Sequence, residues 1–177
     1  YVLLCVLAVL AARSTHPWRT LLPVAFAQGL WLDRMYTVAH EAIHKKLYPL
    51  HPRLNDAVGT LLLTPLLAPF TIYRKIHAFH HGQNRKDPYS AALDVFPLKA
   101  PPGPLGRAYF RAVWIFYVYF GGFFVHTLVT IVLFLFFPRK TLKRISPVFT
   151  GFRPAMRARS WAQFLLAIAV QSALFVT

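Results

Sequence analysis

Residues 21–44, LLPVAFAQGLWLDRMYTVAHEAIH, decide how this chain is read. The apolar run Leu21–Ala39, broken by Asp33 and Arg34 near its polar end, passes straight into His40-Glu41-Ala42-Ile43-His44. With its flanking residues the run reaches the ~20 residues that a bilayer-spanning helix requires. A spacing of four on a helix stacks His40 over His44. The pair is therefore predicted to continue a membrane helix beyond the hydrocarbon, and neutral imidazole is the commonest protein metal ligand.

Downstream, a second cluster repeats the pattern: His77-Ala78-Phe79-His80-His81. Positions i, i+3 and i+4 put His77, His80 and His81 on one helical stripe. Between the clusters lies Ala57–Tyr73, an apolar stretch interrupted by Pro65 and Pro69. Two prolines in a stretch this short make a kinked or re-entrant element rather than a straight crossing. Re-entry also leaves both clusters on one aqueous side, which sharing a metal demands.

Composition fixes the class. The 177 residues are 56% hydrophobic and 16% aromatic but only 14% charged, with mean hydropathy +0.46, whereas a soluble domain is about a quarter charged. An all-α integral membrane helical bundle, one domain over residues 1–177, is expected, with histidine-bearing helix ends on the cytosolic side. The net charge of +15, twenty Lys and Arg against five acids, falls between apolar segments. That placement suits cytosolic loops and anionic headgroups of membrane lipids rather than nucleic acid. Lys45, Lys46, Arg53, Arg74, Lys75, Arg85 and Lys86 offer either headgroup contact or a docking face for an acidic redox partner. A single cysteine, Cys5, excludes an intrachain disulfide and any site built from several thiolates.

Further along, Phe96–Gly106 reads as a Pro/Gly loop. Ala112–Phe137 reads as the strongest membrane helix, ended by Pro138, or as a bent hairpin about Gly121-Gly122. Arg139–Arg159 carries seven cations and no acid. The chain opens inside the run Val2–Ala12, too short to span, and closes inside Trp161–Thr177. Both ends are expected to be internal to a longer protein.

His40-Glu41-x-x-His44 also matches the HExxH pattern of zinc metalloproteases, in which Glu41 is the general base. That reading needs a third ligand, with Asp94 the available carboxylate, and leaves the second cluster idle. A reading that uses both clusters has many imidazoles and few carboxylates, which suits late first-row metals over Mg²⁺ or Ca²⁺. Five histidines exceed one four-coordinate zinc and fit two metals with open positions. His126 offers a further ligand or a hydrogen bond to a neighbouring helix. Glu41 and Asp87 could orient ligand imidazoles, although Asp87 equally suits a turn with Pro88.

The order H-E-A-I-H, Asn55-Asp56, Gly59, a Pro-broken apolar run, then Tyr73-Arg74-x-x-His77-x-x-His80-His81 resembles the membrane fatty acid desaturase family, over roughly Asp33 to Asp94. The resemblance implies a non-haem centre of two iron ions that activates O₂ with electrons from a ferredoxin- or cytochrome b5-type donor. It implies a lipid acyl substrate in which a double bond is introduced. His40, His44, His77, His80 and His81 carry over as metal ligands. Carotenoid and alkane hydroxylases and ketolases share the histidine-box design, so oxygen insertion is the alternative outcome. The family's third box, of the (H/Q)-x-x-H-H kind, has no counterpart here, and the residues given are expected to be inactive alone. A non-enzymatic metal-handling scaffold would place polar residues along several crossings, which the long apolar run lacks apart from His126.

Overall fold

The computed structural model describes residues 1–83, 103–119, 122–145 and 147–176, all-helical with no strand among them. The described chain divides into two compact units, Tyr1–Phe70 with Trp161–Thr177, and Thr71–Ser160.

The first unit begins with α1 (Val2–Ala12) and α2 (Pro17–Ile43). Proline at the first position of α2 needs no amide donor there and presets its φ. The turn between the two helices is tied by the Ala11 carbonyl, which accepts from the Ser14 hydroxyl at 2.8 Å and the Thr20 hydroxyl at 3.2 Å. The same carbonyl also accepts from Ser14 N–H at 3.1 Å, so the end of α1 is closed by backbone and side chain together. α2 carries an exposed apolar stripe, Trp18, Leu22, Phe26 and Leu30, at a repeat of four. Its opposite character appears at the C-terminal end, where Ala39, Ala42 and Ile43 are buried.

Helix α3 (Pro52–Leu63) also starts on proline and passes into a 3-10 turn, Thr64–Leu66. Helix α8 (Pro154–Val176) lends its later turns to this unit. There Gln163 Nε2 donates to Thr60 Oγ1 at 3.1 Å, and the Tyr1 hydroxyl donates to Gln171 Oε1 at 3.1 Å.

In the second unit, α4 (Phe70–Gln83) is followed by α5 (Pro104–Tyr119), α6 (Gly122–Phe136) and α7 (Arg139–Ile145). A 3-10 turn at Pro147–Gly151 leads into the first turns of α8. Its aromatic core is Phe134 from α6 against Phe149 and Phe152, with ring centroids of Phe134 and Phe152 3.6 Å apart. Leu142 of α7 is buried, while Arg139, Lys140, Lys143 and Arg144 around it are exposed. Arg157 of α8 donates from Nη2 to the Phe134 carbonyl at 2.9 Å and to the Phe137 carbonyl, capping the C-terminal end of α6.

Of the run Ala112–Phe137, α5 is described to Tyr119 and α6 from Gly122, and residues 120–121 lie outside the described residues. One expectation changes: helix α5 starts at Pro104, inside the segment read as a loop, because proline suits a first helical position. Residues 96–102 of that segment lie outside the described residues. Moreover, no single described helix is both long and apolar enough to cross a bilayer. In α2 the uncharged interval between Arg19 and Asp33 is the limit, at about 20 Å of rise against a hydrocarbon core of about 30 Å. The pair Pro52–Leu66 and Phe70–Phe79 has the length and composition to cross as a broken span or to form a re-entrant loop. The break falls where Leu67 takes φ 52° and Pro69 follows, as two prolines in Ala57–Tyr73 led one to expect.

Candidate metal centre

Helix α2 presents His40 and His44 from its last turn, with ring centroids 4.7 Å apart and planes at 67°. The helix stops there through a Schellman arrangement. Lys46 N–H donates to the Glu41 carbonyl at 3.0 Å and Lys45 N–H to the Ala42 carbonyl at 3.0 Å. Lys45 lies at φ 60°, in the left-handed region. His40 Nδ1 is 3.5 Å from Glu41 Oε1, at the outer limit of a hydrogen bond.

Behind the histidine turn stands α3. Asn55, fully buried, donates from Nδ2 to the Ala42 carbonyl at 2.7 Å and accepts at Oδ1 from Tyr48 N–H at 3.3 Å. Gly59, one turn on, meets Ala42 so closely that an added Cβ would sit 2.9 Å from the Ala42 Cβ and would overlap the Phe70 ring at Cε2. Both residues were visible in the sequence as parts of a motif. Their role was not, because it depends on a contact between helices.

In the second unit, α4 places His77 and His81 one turn apart, with Nε2 atoms 2.9 Å apart and ring planes at 81°. That distance is a hydrogen bond between the two rings, its direction set by their tautomers. The same separation is what two nitrogens adopt on one metal, since ligands at about 2.1 Å and a right angle sit about 3 Å apart. Tyr73 lies one turn earlier, its ring tilted at 41° to that of His77 with centroids 5.8 Å apart. His80 lies on α4 and His126 on α6, but their side chains fall outside the described residues, as do Asp87 and Asp94 altogether.

His40 and His44 in the first unit, and His77 and His81 in the second, can each offer one ring nitrogen to a metal. The set contains no thiol and no carboxylate. All-imidazole donors suit iron, copper, nickel or zinc and suit Mg²⁺ and Ca²⁺ poorly, so the residues fit a late first-row metal.

The family model described as fatty acid desaturase matches residues 16–177. The chain belongs to the fatty acid desaturase family. That family is membrane-associated. An sn-1 oleoyl-lipid 12-desaturase of Picosynechococcus sp. is 36% identical over 83 residues, covering 45% of this chain and 24% of its own length. The desaturase-family chain described here therefore aligns with about a quarter of that relative. No solved structure matches it.

Proposed function

We propose that this desaturase-family chain belongs to an O₂-dependent enzyme that introduces a double bond into a lipid acyl chain. The observation that supports it is the pair of helix-borne histidine couples, His40/His44 and His77/His81, in a chain matched by the family over residues 16–177. His40, His44, His77, His80 and His81 would hold two iron ions. When bound, that centre supplies the oxidising power that removal of hydrogen from an unactivated C–H bond needs.

The chain's own residues supply the rest. Imidazole pairs one turn apart present converging nitrogens without spending a carboxylate. Glu41, beside His40 Nδ1, holds that ring in the ligating tautomer. The Schellman turn at Lys45 ends α2 directly after His44, so the second ring sits on a helix end and not mid-helix. The family match argues against a zinc-protease role for His40-Glu41-x-x-His44.

Placement in the membrane is part of the reading. The stripe Trp18, Leu22, Phe26 and Leu30 on α2 and the outward Val2, Leu3, Val6, Leu7 and Leu10 of α1 suit lipid contact. The histidines would then lie on the cytosolic side. Exposed Lys45, Lys46 and Arg53, next to His40 and His44 in sequence, suit an acidic donor of the ferredoxin or cytochrome b5 type.

The test is product analysis. Full-length protein, reconstituted with iron, such a donor and an oleoyl lipid (the substrate in the relative's name), should yield an acyl chain with one more double bond. A hydroxylated product would transfer the chain to the oxygen-inserting branch of the histidine-box enzymes. No oxidation of any acyl lipid by iron-loaded protein would overturn the proposal.

A further inference from the structure

We infer that Asn55 and Gly59 of α3 are positioning residues that set the aim of His40 and His44, an inference that rests on those histidines being iron ligands. The geometry lies within one unit. Ala42 sits midway between the two histidines and faces the other way, fully buried. Its carbonyl, in the last turn of α2, accepts from Lys45 N–H and has a second lone pair to offer.

Asn55 Nδ2 donates to that second lone pair at 2.7 Å, and its other side-chain atom takes Tyr48 N–H from the returning loop. A third contact, Nδ2 to Asp56 Oδ1 at 3.3 Å, holds the amide plane. One side chain thus fastens the helix end, the loop and α3 together. Removing it unfastens the Ala42 carbonyl and the Tyr48 amide from α3, although Lys45 N–H still reaches that carbonyl, and lost hydrogen bonds at a buried site are costly.

Gly59 sets the distance. With hydrogen in place of a side chain, α3 approaches until Ala42 and the Phe70 ring fill the space a Cβ would need. A methyl group there would push the histidine turn away from α3, and ligand geometry tolerates only about 0.5 Å of such movement. Neither residue touches the imidazoles. Their effect runs through residue 42.

The experiment uses full-length, iron-loaded protein in detergent, comparing Asn55→Ala with Gln163→Leu. The latter removes the bond to Thr60 elsewhere on α3 and leaves Ala42 untouched. Melting temperature, turnover and the magnetic circular dichroism of the ferrous centre are read together. Asn55→Ala should lower turnover about 10–100-fold and shift the ligand-field bands, or release iron from a chain that still melts cooperatively. Gln163→Leu should lower the melting temperature and leave turnover and bands as in the wild type. Should Asn55→Ala not fold, Asn55→Ser and Gly59→Ala are judged by the same criteria. Wild-type bands and turnover in the Asn55 or Gly59 variants would overturn the inference, as would equal changes in Gln163→Leu. A wild-type protein that binds no iron would overturn the metal reading and this inference with it. Iron in the wild type with unchanged variants would overturn this inference alone.

Discussion

At Lys45 the backbone holds φ at 60°, a conformation that places a Cβ against the following carbonyl. Glycine is the usual residue at this position of a Schellman turn, yet a lysine stands here, directly after His44. Lys45→Gly should therefore leave the helix end intact and stabilise the protein by up to about 1 kcal/mol, once glycine's larger unfolded-state entropy is offset. Lys45→Val should destabilise it, because a β-branched residue is a poor occupant of that region. Denaturant unfolding of the two variants measures both, and a stabilising valine would refute the assignment. Leu67, at φ 52°, is the same case at the end of the 3-10 turn. Neither position could be found in the sequence, since no glycine marks it. The histidine pairs could, because a spacing of four on a helix is a local property that needs no knowledge of partners.

Helix α6 ends against Arg157, whose guanidinium reaches the Phe134 and Phe137 carbonyls and lies 5.6 Å from the Phe134 ring centroid. Arg157→Met keeps much of the side-chain volume and removes the charged donor. It should cost about 1.5–3 kcal/mol, the range for hydrogen bonds to charged groups, seen as a lower melting temperature of the purified protein. A melting temperature equal to the wild type would show that the contact is not held in solution. Elements of this kind were read from sequence only in part. The course of α2 into the first histidine cluster follows from the apolar run Leu21–Ala39 leading straight into it, and the break at 67–69 follows from two prolines. The start of α5 at Pro104 did not emerge, because Pro101, Pro102 and Gly103 before it read as loop. Asn55 against Ala42 is a tertiary pairing thirteen residues apart, which no periodicity reports.

Over the whole molecule, family membership and an outward apolar surface carry the membrane reading, while no single described helix carries it alone. A lysine at the centre of a lipid-facing helix costs about 2.5–3.5 kcal/mol. Leu22→Lys with Phe26→Lys should accordingly deplete full-length protein from carbonate-washed membranes, and full retention would place that stripe elsewhere. The most direct test of the central claim is a metal count on purified full-length protein by mass spectrometry, with Mössbauer spectra to identify the iron. Two irons per chain are expected, lost on His80→Ala and on His77→Ala with His81→Ala. Zinc in place of iron, or iron retained after those substitutions, would contradict the assignment of these histidines as its ligands.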